Sequence, residues 1–258
     1  PVFVGDLHAR LDNLLVVLTQ NAILEGLEAG KVALLIIGDA PHPDEEGLEA
    51  FMGTSMLLMD LIFRLQLVFP GQVYYLRGNH DSFSEEISKG GVPQGVLWEH
   101  ALRDERGTAY FEAMTRLYQR LPYVATSSRF VTCHAGPPTS TVTRDMLINI
   151  RDNPRLEREV TRVRLRKTDS PAGYGPGDIK RLRKVFGLGP QAHVLVGHTP
   201  LSCDDTLWLE AGGIKSHHVV FGAHHEWIGI VALAGQRFLP LRYPVEPLTG
   251  LYNRAFAS

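Results

Sequence analysis

The chain has 258 residues, of which 44% are hydrophobic, and carries a formal net charge of -2 at pH 7. This length and apolar fraction can fill one large core, so we expect a single domain over residues 1–258. The nearly neutral charge gives no electrostatic reason to expect nucleic acid or a membrane surface as a partner. No apolar run reaches the roughly 18 residues of a membrane span. The presence of only two cysteines favours a reducing, cytoplasmic location.

Two apolar runs near the start of the chain both lead into an aspartate. The first is followed by Asp6 and His8, and helical leucine spacing then continues over residues 11–22. The second apolar run, at 32–37, leads to Asp39. This order predicts a strand, a helix and a parallel strand. Ligands of such α/β sheets collect at the carboxyl ends of the strands.

Three later apolar runs, at 73–76, 129–133 and 193–196, are also followed by side chains that can bind metals or transfer protons. Mixed carboxylate, imidazole and amide ligands without a thiolate favour Mn, Fe or Zn. The number of candidates suits two ions, with one aspartate shared between them. The side chains that follow these three runs are Asn79, His80, His134 and His198.

The remaining elements are predicted from periodicity. Helices are expected within 48–69, at 110–121 and at 178–185. The segment 83–109 reads as an irregular excursion, and the tail at 206–243 predicts short strands of a second sheet.

An arginine-rich segment at 143–167 has two interpretations. Its seven arginines alternate with acidic residues, which is typical of a solvated helical surface. The alternative is a basic rim that grips a phosphorylated substrate.

The motifs GDLH, GD, LRGNHD, CHAG and GHT occur in this order. Together they resemble the calcineurin-like metallophosphoesterase superfamily. Segments 118–122 and 172–175 are similar to its phosphoprotein phosphatase branch and to related bacterial enzymes, which include diadenosine tetraphosphatases. The resemblance covers roughly residues 3–234. It implies one α/β metallophosphoesterase domain, in which two mixed β-sheets form a sandwich flanked by helices.

The resemblance also assigns roles to the motif residues. It implies that Asp6 and His8 bind a first metal ion and that Asp39 bridges two divalent or trivalent ions. It implies that a hydroxide held between the ions attacks the phosphorus, so that no phosphoenzyme forms. The ligands implied for the second metal are Asn79, His134 and His198.

His80 is implied to be the general acid that protonates the leaving oxygen. We expect His80 and Asn79 to contact the substrate phosphate as well, together with Arg77. A carboxylate should keep a proton on the His80 ring, and we predict Asp44 for this role, with Asp81 as the alternative.

Three departures from the family pattern concern the substrate rather than the metals. The Asp-Arg pair expected after Asp39 is replaced by residues 40–44. An arginine expected just before Gly173 is absent from 170–172, and Ala9 stands in place of a glycine. The arginines that can compensate are Arg77, Arg164 and Arg166.

These observations predict a metal-dependent phosphomonoesterase that acts on phosphoproteins or small phosphate esters. One alternative is a dinucleoside polyphosphate hydrolase of the diadenosine tetraphosphatase type, which needs a pocket for a base. Another is a weakly active, metal-bound binding or scaffold protein, for which the missing Asp-Arg pair argues. The oligomeric state stays open. The aromatic candidates for a base pocket are Tyr174, Trp208, Phe221 and Trp227.

Two histidine pairs late in the chain are predicted not to be metal ligands. The motif residues already supply two sites. In a strand, adjacent side chains also point to opposite faces. These pairs are His217 with His218 and His224 with His225.

Overall fold

Two five-stranded β-sheets form the centre of the computed structural model, which describes residues 1–167 and 170–245. The first sheet has three parallel strands and an antiparallel hairpin, in the order β10-β9-β1-β2-β3. Its strands are β1 (Val2–Val4), β2 (Leu34–Ile36), β3 (Val73–Tyr75), β9 (Trp227–Ala234) and β10 (Arg237–Pro244).

The second sheet also has a parallel centre, here with an antiparallel strand at each edge. Its order is β4-β5-β6-β8-β7, and β5, β6 and β8 are parallel. Its strands are β4 (Val124–Thr126), β5 (Phe130–Cys133), β6 (His193–Val196), β7 (Leu207–Trp208) and β8 (His217–Val220).

Eight α-helices accompany the two sheets within the described ranges. None of them is long and apolar enough to cross a membrane. They are α1 (Leu11–Thr19), α2 (Ile23–Glu28), α3 (Gly53–Val68), α4 (Gln94–Arg106), α5 (Thr108–Tyr118), α6 (Arg144–Ile148), α7 (Pro154–Arg162) and α8 (Pro176–Val185).

Strand alternation divides the buried apolar residues into three layers. In β1, Val2 and Val4 join a cluster shared with helices α1 to α5, whereas Phe3 faces the other sheet. There the Phe3 ring lies edge-on to Phe130 of β5, with 4.9 Å between ring centroids. Val131 points the opposite way, into a cluster with α6 to α8. The predicted sandwich of two sheets flanked by helices is therefore confirmed.

Local differences from the predictions have physical causes. The helix expected over 11–22 ends at Thr19, and Ala22 adopts a left-handed backbone (φ 53°) before α2 begins. The segment predicted as irregular contains α4, in which Gln94, Trp98 and Leu102 are buried at helical spacing. Charged residues on the other faces of α4 conceal this short buried stripe.

The tail was expected to supply the second sheet, and it does so only in part. β7 and β8 belong to that sheet, but β9 and β10 are eight residues long and complete the first sheet. β9 pairs with β1, so the end of the described chain lies against its beginning. Strands β1 and β9 are more than 200 positions apart in the sequence. Local periodicity can predict that each is a strand, but it cannot predict that they pair.

Candidate metal centre

Six predicted ligands lie just beyond parallel strands of both sheets. The two sheets meet at this edge, where Asp6 forms a parallel bridge with Phe221, the residue after β8. The carboxyl ends of five strands thus converge on one place. β1 is followed by Asp6 and His8, β2 by Asp39, β3 by Asn79, β5 by His134 and β6 by His198.

Two groups of three potential ligand atoms form there, and Asp39 belongs to both. One group contains Asp39 with Asp6 and His8, and the other contains it with His134 and His198. Within each group all ligand atoms lie within 4.8 Å of one another. An aspartate common to two such groups is the arrangement that a bridging carboxylate requires.

Backbone carbonyl oxygens orient the rings of two predicted ligands, His134 and His8. Nδ1 of His134 lies 2.7 Å from the Ile37 carbonyl oxygen, and Nδ1 of His8 lies 3.1 Å from that of His42. Each Nδ1 can donate to its carbonyl, which leaves the lone pair of Nε2 directed elsewhere. Metal-binding histidines are commonly oriented in this way.

The Asn79 amide lies among the atoms of the second ligand group. Its Oδ1 atom lies 3.1 Å from Nε2 of His134, 2.8 Å from Nδ1 of His198, and 3.2 Å from both a carboxylate oxygen of Asp39 and the Thr161 carbonyl oxygen. Turning the amide would let its NH2 group donate to these atoms. In the unturned orientation, the amide oxygen could join Asp39, His134 and His198 in holding a cation.

The backbone around the ligands is close-packed and strained. His8, Asp39 and His198 have positive φ angles of 41°, 51° and 65°. Such conformations typically cost about 1–3 kcal/mol each and cluster at functional sites. A Cβ atom on Gly78 would lie 2.1 Å from Asp39 Oδ1, and one on Gly197 would lie 2.1 Å from Asp6 Oδ1. The glycines of these two motifs therefore make room for the carboxylates.

Burial and neighbouring charges shift the pKa values of two predicted ligands. Burial alone would lower the pKa of His134, but the Asp39 and Asp6 carboxylates outweigh it and raise the pKa to about 10. Burial is also the main cause that raises the pKa of Asp6 to about 6. His134 Nε2 lies 3.1 Å from Asp39 Oδ2, which is the geometry of an ion pair. Positive charge close to these buried carboxylates is therefore favourable.

His80 lies beside the ligands without joining either group. Its ring packs edge-on to that of His8 and against that of His42, with centroid distances of 5.0 and 5.5 Å. Its backbone N–H donates to Asp39 Oδ1 at 2.7 Å. Burial lowers the pKa of His80 to about 4, in spite of the Asp39 carboxylate. The ring packs against two other imidazoles, and a nearby negative charge, such as that of a bound phosphate, would favour a proton on it.

Neither candidate carboxylate is hydrogen-bonded to His80 among the described contacts, and Nδ1 of this ring is buried without a partner. Asp81 accepts hydrogen bonds from the Gly78 N–H at 2.7 Å and from the Tyr75 hydroxyl. Asp44 lines the same cleft as His80, and its carboxylate lies 3.4 Å from Lys89 Nζ. Asp44 as the partner of His80 therefore stays a prediction.

The three candidate arginines have different positions. Arg164 lines the metal cleft, which has a volume of about 340 Å³. Arg166 instead donates to the Gly173 carbonyl oxygen, and Arg77 donates to that of Tyr118 beside a different pocket. Lys89 also lines the cleft. Sequence reasoning missed Lys89 because it lies in the segment predicted as irregular, and no motif marks it.

Three of the four histidines that were predicted not to bind metal make hydrogen-bond contacts with residues outside the two ligand groups. His217 is buried, with its ring nitrogens 3.1 Å from the Tyr174 hydroxyl and 3.2 Å from the Val194 carbonyl oxygen. His218 lies 3.1 Å from His193. His224 accepts hydrogen bonds from the backbone N–H groups that follow it. That these histidines do not bind metal stays a prediction.

Of the four aromatic candidates for a base pocket, one lines the metal cleft and three lie elsewhere. Phe221 lines the metal cleft, whereas Tyr174 is buried in the core of the second sheet. Trp208 packs against that core, and Trp227 is 39% exposed.

Comparison with known proteins adds independent findings. The sequence model described as "Calcineurin-like phosphoesterase" matches residues 2–226. The serine/threonine-protein phosphatase rdgC of Drosophila melanogaster is 31% identical over 138 residues, which are 53% of this chain and 18% of that protein. The serine/threonine-protein phosphatase 7 long form homolog of Arabidopsis thaliana is 28% identical over 170 residues, which are 66% of this chain and 11% of that protein. The chain therefore spans less than a fifth of the length of these relatives.

Solved structures agree on the fold. A protein serine/threonine phosphatase of Saccharomyces cerevisiae superimposes with a TM-score of 0.68 at 16% identity, covering 95% of this chain and 80% of that one. A cold-active protein-tyrosine phosphatase of a Shewanella species gives a TM-score of 0.54 at 11% identity, with the same coverage. At these identities the similarity concerns the fold alone.

Proposed function

Because this chain belongs to the calcineurin-like phosphoesterase family, we propose that it hydrolyses phosphate esters with two bound metal ions. The proposed activity is that of a phosphomonoesterase acting on phosphoproteins or small phosphate esters. The observation that carries the proposal is the position of Asp39 in both groups of potential ligands.

The two ions are proposed to be Mn, Fe or Zn, because the ligands are oxygen and imidazole nitrogen without thiolate. When bound, such ions supply an activated hydroxide and stabilise the charge that develops on the phosphoryl oxygens. Asp6 and His8 would hold one ion with Asp39. The ligands that would hold the other, with Asp39, are Asn79, His134 and His198.

The chain itself supplies proton transfer and charge around the phosphate. His80 lines the cleft and is proposed to donate a proton to the leaving oxygen. Arg164 and Lys89 line the same cleft and are proposed to orient the phosphate in place of the missing family arginines. Arg77 is less suited to this role because its guanidinium is bonded to the Tyr118 carbonyl oxygen, 2.8 Å away.

The test is hydrolysis by protein that has been stripped with a chelator and then reloaded with Mn. We expect metal-dependent hydrolysis of p-nitrophenyl phosphate and of a phosphoserine peptide, and slower hydrolysis of bis-p-nitrophenyl phosphate. Bound metal without hydrolysis of any of these substrates would contradict the proposal and favour a binding or scaffold protein.

A dinucleoside polyphosphate hydrolase is the second candidate, because a pocket of about 520 Å³ adjoins the metal centre at His8. Its lining includes Leu48, Leu57 and Phe51, which is 58% exposed. An aromatic base can pack against such a surface. A higher kcat/KM for diadenosine tetraphosphate than for p-nitrophenyl phosphate would favour this candidate over a monoesterase.

The proposed partners are phosphorylated substrates, either proteins or small molecules. Nucleic acid and membranes are not proposed as partners, and the location is proposed to be cytoplasmic. The nearly neutral net charge and the low number of cysteines support these points.

A further inference from the structure

A second, smaller pocket adjoins the metal cleft at the Asn79 side chain, which lines both. The pocket has a volume of about 140 Å³, and its surface is mostly polar. Three arginines contribute to its lining, against one carboxylate, that of Glu157. The arginines are Arg77, Arg158 and Arg162.

The single carboxylate already has a partner. Glu157 accepts a hydrogen bond from the Tyr123 hydroxyl at 2.8 Å, and both residues line the pocket. Burial and this hydrogen bond raise the pKa of Tyr123 to about 12, so the phenol keeps its proton. The pocket therefore keeps an excess of positive charge.

The arginines retain donors for a ligand. Arg77 uses one guanidinium nitrogen for the Tyr118 carbonyl oxygen. Arg158 and Arg162 reach Glu86 at 3.5 and 3.9 Å, and the Glu86 side chain is 63% exposed. Exposed ion pairs of this kind contribute little, and each guanidinium has five N–H donors. An anion in the pocket can therefore compete for them.

Helix α7 fixes the pocket relative to the metal centre. Arg158 and Arg162 lie one helical turn apart, so their side chains share a face. Nearby on the same helix, the Thr161 carbonyl oxygen lies 3.2 Å from the Asn79 amide, and that of Val160 accepts from the Ala135 N–H at 2.9 Å. The arginines are thus carried by an element that contacts the loops of two predicted ligands.

We propose that this arginine pocket binds a second anionic group, a phosphate or a carboxylate, on a substrate whose scissile phosphate lies at the metal centre. Planar guanidinium groups match both anions through paired hydrogen bonds. This inference rests on the proposed phosphatase function. It assigns a specific role to part of the arginine-rich segment.

The first test compares two synthetic peptides of identical sequence that carry one phosphoserine or two adjacent phosphoserines. With Mn-loaded protein, we expect the doubly phosphorylated peptide to have a kcat/KM about tenfold higher, mainly through KM. The variant Arg158→Gln/Arg162→Gln should lose this preference and change its kcat/KM for p-nitrophenyl phosphate less than about twofold. The control is Arg155→Gln, on the same helix but outside the pocket, which should keep the preference.

The second test does not depend on hydrolysis. Calorimetric titration of the Mn-loaded protein with inorganic phosphate should give two phosphates per chain, and one in the double variant. If no ester is hydrolysed but this change from two to one is found, the proposed function fails and the anion pocket stands.

Two results would overturn the inference. One is an equal loss of kcat/KM on both peptides in the double variant. The other applies if both peptides are hydrolysed: phosphate bound in the pocket of the unaltered protein with no preference for the doubly phosphorylated peptide would mean that the pocket serves a free anion rather than a substrate.

Discussion

The predicted ligands and the walls of the cleft are built in different ways. Asp6, Asp39 and His134 are at most 1% exposed and follow short buried strands. The walls of the cleft include Asp44, Lys89 and Arg164, and the Lys89 side chain is 41% exposed. Strand ends fix the ligands to the framework, whereas the wall residues can change without disturbing them. This difference explains how all the predicted ligands can be present while residues 40–44 depart from the pattern that the resemblance implies.

The largest expected effect is that of Asp39→Asn. A neutral amide removes the negative charge shared by both ligand groups, so the protein should lose at least one ion and about 10⁴-fold or more in kcat. Elemental analysis and hydrolysis of p-nitrophenyl phosphate measure both. Asp204→Asn, at an exposed position, is the matched control and should keep the metals and the activity. Two tightly bound ions in Asp39→Asn would refute the bridging role.

His80 lines the cleft and directly follows the predicted ligand Asn79, so a substitution there tests whether a residue between the two regions acts in proton transfer. If this residue protonates the leaving oxygen, His80→Asn should lose about 10²–10⁴-fold on a phosphoserine peptide, whose alkoxide leaves poorly. The loss on p-nitrophenyl phosphate should be much smaller, because p-nitrophenolate leaves without help. Equal losses on both substrates, with unchanged metal content, would mean that His80 only positions the phosphate.

The framework itself should be sensitive to acid at His217. Burial lowers the pKa of His217 to about 4, below the ordinary value of 6.5. As pH falls below 6.5, the unfolded state binds the proton first, so stability is complete above 6.5 and decreases towards pH 4, by roughly 3 kcal/mol. Urea unfolding at several pH values should show this decrease in the unaltered protein and a smaller one in His217→Gln. If the unaltered protein and His217→Gln lost the same stability over this pH range, His217 would not be a source of the acid sensitivity.

The smallest expected effect is that of a substitution at Arg164, which lines the cleft. Arg164→Gln removes a charge from the cleft and should raise KM for p-nitrophenyl phosphate about tenfold, with metal content unchanged. Arg166→Gln is a close control, because Arg166 bonds to the Gly173 carbonyl oxygen instead of lining the cleft. If the two variants raised KM equally, Arg164 would have no specific role in holding phosphate.

The sequence predicted the fold and the convergence of the predicted ligand side chains because both depend on local patterns. Apolar runs followed by Asp39 or His134 mark strand ends, and parallel strand ends meet at one edge. The walls were not predictable in this way. Gln94, at the start of α4, donates to the carbonyl oxygens of Pro43 and Glu49, and so fixes the loop that replaces the family pair. Contacts of this kind join residues about 50 positions apart and leave no periodic trace.

The most direct test of the account is a crystal structure of the Mn-loaded protein with anomalous scattering measured at the Mn edge. We expect two ions, roughly 3.5–4 Å apart, both bound by Asp39. One should also contact Asp6 and His8, and the other His134 and His198. A single ion, or two ions that do not share Asp39, would contradict the account.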